Sequence, residues 1–385
     1  MKRREFLPAL GGLLAAGYRA GPFLSEHARA RLAPAASANA APADAALASA
    51  TLAERARARG LVYGAASTWA YLSKDAPFAA RFAAECGMLV PETELEWNRC
   101  HPEPDHYDFR WADWLADFAT ARHLLLRGHA LLYDETQPAW VAEGPSESTV
   151  ADTVRRHIGT VAGRYAGRMH SWDVVNEIID PNAKRPDGLK PVPLLQCLGP
   201  DYIALAFHAA AAADPAALLC WNDNNLEYDV AWQAARRDVV LTLLQHYIGR
   251  GAPIQALGIQ SHLRFHDTRF DAKAFRDFLA GVAGLGLKII VSELDVFDAD
   301  LPDDAVVRDR AVAAAIDEYL PVVLDERAVV GVVTWGLSDR YTWLNTTRPR
   351  ARGGGARSLP LDAALAPTAA YAAIGRAFDG APRRT

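Results

Sequence analysis

Short apolar runs rich in β-branched residues recur along the chain at Leu61 to Ala66, Met88 to Pro91, Leu124 to Tyr133, Met169 to Val175, Leu218 to Asn222, Ala256 to Gln260, Leu287 to Ser292 and Val329 to Trp335. Each run is close to continuous rather than alternating, which is the pattern of strands covered on both faces in a parallel sheet. Stretches with helical spacing lie between them. In one, Val239, Val240, Leu243, Leu244, Tyr247 and Ile248 form a single apolar stripe that Gly251 ends. Thr51 stands where it would cap a short first helix finishing at Gly60. Eight such strands alternating with helices predict an α/β fold, a single-domain (β/α)8 TIM barrel over residues 51–382, better than they predict an open sheet.

In a barrel of this kind, functional side chains belong at the C-terminal ends of the strands. Polar residues gather there: Glu92 after the second run, His129 in the third, Asn176 and Glu177 after the fourth, Asn222 and Asp223 at the fifth, Gln260 and His262 at the sixth, Glu293 and Asp295 after the seventh, and Trp335 before Asp339 at the eighth. A cleft lined this way suits sugars. Glu177 and Glu293 each follow a β-branched run directly, on strands that lie roughly across the barrel from one another. Two carboxyls facing one cleft, one protonated and one ionised, is the arrangement that cleaves a glycosidic bond.

The first residues carry a different signal. MKRREFLPALGGLLAAG is a basic start followed by an apolar stretch, and the small-residue run ASANA closes at Ala40. The pattern predicts a signal peptide over 1–40, twin-arginine-like through Arg3-Arg4-Glu5-Phe6-Leu7, and an Ala/Pro linker over 41–50. A periplasmic or secreted protein is expected, with no membrane span in the mature chain, because no later segment reaches about 18 uninterrupted apolar residues. Of the 385 residues, 51% are hydrophobic, enough for a large core, so disordered and collagen-like classes are excluded. The first 40 residues carry a net +4, which leaves −9 for the rest of a chain whose formal charge is −5. That balance argues against nucleic acid as a partner. Cys86, Cys100, Cys197 and Cys220 show neither a paired motif nor His neighbours at metal spacing and are expected to be mostly buried thiols. No nucleotide fingerprint and no metal-ligand spacing is present, so no cofactor and no metal is implied, and a monomer is expected.

Several segments together resemble the family 10 glycoside hydrolases, whose best-known members are endo-β-1,4-xylanases: WDVVNE at Trp172 to Glu177, SELDV at Ser292 to Val296, GHALL at Gly128 to Leu132, LGIQSHL at Leu257 to Leu263, WND at Trp221 to Asp223 and WGLSDRYTWL at Trp335 to Leu344. The resemblance covers nearly all of residues 51–380. It implies a retaining glycosidase acting on xylan or a related polysaccharide, with Glu177 as acid/base, Glu293 as nucleophile and His262 hydrogen-bonded to the nucleophile. It further implies Asn176 and His129 on the sugar at the cleavage point, and Trp335 and Trp343 as aromatic walls. Glu92 and Gln260 are further substrate-binding candidates.

The departures from the family pattern cluster. Thr93 replaces an Asn, Glu96 a Lys, Tyr133-Asp134 a Trp-His pair, Thr136 a Gln, and Asn224 a Tyr. They alter the site for sugars on the non-reducing side and leave the chemistry in place. Two other readings therefore stand beside the first: the same mechanism on a decorated or acidic bacterial exopolysaccharide, and a non-catalytic carbohydrate-binding barrel. Arg348, Arg350, Arg352 and Arg357 around Gly353-Gly354-Gly355 read either as a flexible solvated loop or as a site for carboxylates on an acidic polysaccharide.

Overall fold

A computed structural model of the protein describes residues 50–384 apart from 142, 144, 145, 266–268 and 352. The expected signal and all but the last residue of the expected linker lie outside the described residues. Thr51 caps the first helix, Leu52–Arg57, as expected. Its hydroxyl accepts the Glu54 N–H while the Glu54 carboxylate accepts the Thr51 N–H, and Gly60 follows at φ +72°.

The strands are β1 (Val62–Ser67), β2 (Met88–Pro91), β3 (Leu125–Gly128), β4 (Leu132–Tyr133), β5 (Met169–Asn176), β6 (Leu218–Asp223), β7 (Ala256–Ile259), β8 (His262–Arg264), β9 (Lys288–Phe297) and β10 (Val329–Thr334). All pair in parallel in the order β10-β1-β2-β3-β5-β6-β7-β9, and β9 pairs back onto β10, closing the barrel. β4 continues the line of β3 against β5, and β8 continues that of β7 against β9. The eight expected runs are thus the eight staves, two of them broken near their C-terminal ends. The second break falls at Ser261, whose φ of +62° turns the chain between Gln260 and His262.

Alternation along each stave explains its continuous hydrophobicity. Leu219 and Trp221 of β6 join the large core shared with the surrounding helices, whereas Cys220 packs with Ala256 and Ile290 inside the barrel. Helix Ala231–Gly249 buries Val240, Leu243, Leu244 and Tyr247, the centre of the predicted stripe, and Gly251 takes φ +87° just beyond its end. Cys86, Cys100 and Cys220 are buried and Cys197 is partly so, all as free thiols. No helix among the described residues is long and apolar enough to cross a membrane.

Two arginines of the arginine-rich loop are paired within the fold. Arg350 is buried and donates to the Leu301 carbonyl at 2.9 Å and to Asp303 at 2.9 Å, and Arg357 grips both oxygens of Asp309. These two guanidinium groups tie the loop to the chain after β9, while Ala351 and Gly353 to Gly355 between them are exposed. Arg352 lies outside the described residues, and Arg348 rests on the ring of Phe297, 4.8 Å from its centroid.

Candidate active site

Parallel register brings the polar strand ends to one rim. Asn176 of β5 lies level with Asn222 of β6, and Asn222 with Gly258 of β7. A Cβ on Gly258 would sit 2.1 Å from the Asn222 amide oxygen, so the bare backbone there is what lets the Asn222 side chain lie across the ladder. Its Nδ2 then donates to Asn176 Oδ1 at 2.8 Å and to Glu293 Oε1 at 2.8 Å, while its oxygen accepts from Ser292 Oγ at 2.6 Å. Glu177, one residue past β5, takes φ +56°, and its N–H donates to the Asn222 carbonyl at 3.0 Å. That turn in the left-handed region aims its carboxyl into the cleft. Glu177 Oε1 accepts from Gln260 Nε2 at 2.9 Å and Asn176 Nδ2 at 3.4 Å, and Oε2 accepts from the Tyr133 hydroxyl at 3.3 Å. One hydrogen-bonded chain therefore joins the two carboxyls.

The surroundings separate their proton affinities. Burial pushes Glu177 up to about 7; the Gln260 hydrogen bond opposes this and the charge of Glu293 adds to it. Burial acts in the same sense on Glu293 but is outweighed by the His262 hydrogen bond, the charges of His129 and His262, and the Asn222 donor, which hold it below the ordinary glutamate range. His262 joins the nucleophile candidate to a second carboxylate: Nε2 lies 3.3 Å from Glu293 Oε2 and Nδ1 2.8 Å from Asp295 Oδ1. Burial alone would neutralise this imidazole, yet Asp295 and Glu293 hold it well above its ordinary value, so it donates from both nitrogens. Trp343 Nε1 donates to the other oxygen of Asp295 at 2.7 Å, which fixes that indole against the same group.

His129 is held from below. Its Nδ1 is 3.0 Å from Asp173 Oδ2, and the other Asp173 oxygen is paired with the buried guanidinium of Arg127, which also donates to Ser171 Oγ at 2.9 Å. Against the cost of burial, Asp173 and Glu293 raise the proton affinity of His129. The half-buried Trp335 meets it edge-on at 5.0 Å. Glu92 is half-buried, and burial, reinforced by the charges of Glu94 and Glu96, pushes it up to about 8; the same burial raises Glu96 to about 7.

All nine side chains expected from the sequence thus stand at the rim: Glu177, Glu293, Asn176, Gln260 and His262 in one hydrogen-bonded network, Trp343 joined to it through Asp295, His129 with Trp335 beside it, and Glu92 within electrostatic reach of His129 and Glu293. From the sequence, Asn222 and Asp295 stand at strand ends without an assigned role, Tyr133 stands out only as a departure from the family pattern, and Asp173 is not singled out. A buried Asp inside an apolar strand, as in Asp173-Val174-Val175, is the signal that would have found one of them. Among the altered positions, Tyr133 donates to Glu177, Asp134 receives Lys190 Nζ at 3.0 Å, and the Asn224 side chain is taken up by Arg236 at 2.9 Å and Asn225 at 2.7 Å. Among the described residues no cluster of His, Cys, Asp or Glu is arranged to hold a metal ion.

A closed parallel barrel carrying two carboxyls of opposed proton affinity in one polar, aromatic-walled cleft is the outline of a glycoside hydrolase. Residues 51–377 match the family model for Glycosyl hydrolase family 10, and the chain belongs to that family. It is 31% identical over 308 residues to endo-1,4-beta-xylanase B of Paenibacillus barcinonensis, covering 77% of this chain and 89% of that one. It is 32% identical over 274 residues to endo-1,4-beta-xylanase 2 of Claviceps purpurea, covering 71% and 77%. Its fold superposes on native xylanase 10B from Thermotoga maritima with a TM-score of 0.77 at 27% identity, covering 86% and 98% of the two chains. Xylanase B from Clostridium stercorarium F9 gives 0.75 at 26% identity, covering 84% and 99%.

Proposed function

We propose that the protein hydrolyses β-1,4-linked xylan or a closely related polysaccharide by double displacement, with Glu177 as acid/base and Glu293 as nucleophile. The observation that carries this reading is the hydrogen-bonded network that joins the two carboxyls through Asn176 and Asn222 and places Gln260 on Glu177 and His262 on Glu293, an arrangement that favours a protonated Glu177 and an ionised Glu293. In the first step the Glu293 carboxylate attacks the anomeric carbon while Glu177 gives its proton to the departing glycosidic oxygen, leaving a glycosyl ester on Glu293. In the second, Glu177, now ionised, takes a proton from the water that attacks the same carbon, and Glu293 leaves as carboxylate. Asn176 and His129 contact the sugar at the cleavage point, Trp335 and Trp343 offer flat faces to its C–H groups, and Glu92 and Gln260 bind further hydroxyls.

The roles are tested by removal. Glu293→Ala should abolish turnover of every substrate. Glu177→Ala should keep the first step on substrates whose leaving group needs no proton, and added azide should restore its turnover and give a β-glycosyl azide. An α-azide from that variant would reverse the assignment. The intact network around both carboxyls favours an enzyme over a barrel that only binds sugar. The Thr93 and Glu96 replacements favour a second reading of the substrate, in which the natural glycan is a decorated one. Export through the Arg3-Arg4 signal is part of the proposal, with a mature chain beginning near residue 41 and forming one catalytic domain. Replacing both arginines by Lys should hold the protein inside the cell, and unchanged export would show that another route is used.

A further inference from the structure

Most arginines along the upper rim are neutralised within the fold: Arg236 by Asp223, Arg308 by Asp298, Arg350 by Asp303 and Arg357 by Asp309. Arg264 and Arg348 are not. Neither guanidinium has a carboxylate at salt-bridge distance or a hydrogen-bond acceptor among the described residues, and both rest on the same ring, that of Phe297, 4.7 and 4.8 Å from its centroid. They are close enough that the charge of Arg348 adds to burial in lowering the proton affinity of Arg264, with Tyr228, Asp300 and Glu227 acting the other way. Two like charges held on one ring repel each other, and an anion seated between them would offset that repulsion.

Their place in the barrel points to what that is. Arg264 is the last residue of β8, two positions after His262, and Phe297 is the last of β9, two positions after Asp295. The Phe297 ring is stacked parallel to the His262 imidazole at 5.8 Å and meets Trp343 at 6.0 Å. The arginine pair therefore forms the outer continuation of the wall whose inner face holds Glu293. A glycan seated against Glu293 with a charged side branch would present that branch to this wall. Guanidinium groups bind planar carboxylates through paired N–H donors, and Phe297 holds these two in place while leaving those donors free.

We infer that Arg264 and Arg348, held on Phe297, form a recognition site for the carboxylate of a uronic-acid branch on the polysaccharide being cleaved. The inference rests on the glycan-cleaving function proposed above and narrows its substrate to an acidic, uronyl-substituted chain.

The experiment uses two polymers that differ only in charge: a glucuronoxylan, and the same preparation with its uronic acids reduced to neutral hexoses. The wild-type protein should cleave the acidic polymer with a kcat/KM about 5- to 10-fold higher, a margin within the range of charge-assisted hydrogen bonds at a solvent-accessible site. Raising the salt concentration should narrow it. In Arg264→Gln with Arg348→Gln the margin should vanish, while kcat/KM on the reduced polymer stays at the wild-type level. Cleavage of both polymers at equal rates, or a margin that survives the double change, overturns the carboxylate site and leaves the proposed function standing. Cleavage of neither polymer by the wild-type protein overturns that function, and this inference with it.

Discussion

The opposed proton affinities of Glu177 and Glu293 set the pH dependence of the reaction. Glu293 must be ionised to attack, so kcat/KM should rise on the acid side below the ordinary glutamate value; Glu177 must be protonated to assist departure, so it should fall again near pH 7. The basic limb should disappear in Glu177→Ala assayed with an activated aryl glycoside, and its persistence there would assign it to another group. Asp295 should set the acid limb. Asp295→Asn removes the charge that keeps His262 protonated, which weakens the donor to Glu293 and should move that limb upward. At Thr93 and Glu96 the expectation concerns specificity. Thr93→Asn with Glu96→Lys restores two donors to the non-reducing-side wall and should raise kcat/KM on linear xylo-oligosaccharides by about 10-fold or more, each recovered polar contact being worth about 0.5–1.5 kcal/mol. No gain would mean that this wall is not where those sugars bind. Residue by residue, the carboxyl pair was legible because each Glu follows directly on an apolar, β-branched run, although β9 itself continues past Glu293 to Phe297. The partners of Asn222 and Asp173 were not legible, because they are brought alongside only by the barrel's register.

The staves were readable as elements because burial on both faces leaves an uninterrupted apolar run. Their breaks were not, since a run such as Leu124 to Tyr133 gives no sign that pairing passes from β3 to β4 part-way along. The same holds for the turn at Ser261, which separates the donor to Glu177 from the donor to Glu293. The pairing of Arg350 and Arg357 is hidden for a related reason: Gly with Arg reads as solvated composition, and only the fold supplies Asp303 and Asp309. Glycines within these elements give a contrasting pair of predictions. Gly258→Ala puts a methyl group where the Asn222 oxygen lies, so Asn222 must leave both Asn176 and Glu293. That should cost about 1–3 kcal/mol of stability and reduce kcat far more than substrate binding. Gly159, inside helix Glu147–Arg164, has nothing within 4 Å of an added Cβ. Gly159→Ala should instead stabilise by about 0.5–1 kcal/mol and leave kcat unchanged. Thermal melts beside steady-state kinetics check both, and a Gly258→Ala protein with wild-type kcat would remove Asn222 from the account of the site.

Across the whole molecule, the carboxyls with raised proton affinity make the folded state prefer acid. Burial brings Glu92 and Asp339 to about 8 and Glu96 and Glu177 to about 7, all far above the values these groups have in an unfolded chain. Between those two values the folded protein binds more protons than the unfolded one, so stability must fall as pH rises. The acid side is mixed, because His157 and His170 are held below their ordinary values by burial and lose stability as pH drops through the mid-range. The window from pH 7 to 9 separates the two effects: His157 and His170 are already neutral there, while Glu92 and Asp339 are forced to ionise, and His129 and His262, whose proton affinities are raised, act in the same sense as the carboxyls. Tm should decline across that window. Glu92→Gln, which carries no proton to lose, should raise Tm at pH 9 by roughly 2–4 °C for each kcal/mol recovered and change it little near pH 3, where Glu92 is protonated whether the chain is folded or unfolded. Asp339 is the internal comparison, since one oxygen already accepts the Ser358 and Leu359 N–H groups at 2.8 and 3.0 Å while the other is buried without a partner. Asp339→Asn should keep an acceptor for those two donors and flatten the decline in the same window, without touching the sugar cleft. If Tm is level or rises from pH 7 to 9 in the parent protein, then water reaches these carboxyls, and the cleft wall around Glu92 is more open than its burial in the fold indicates.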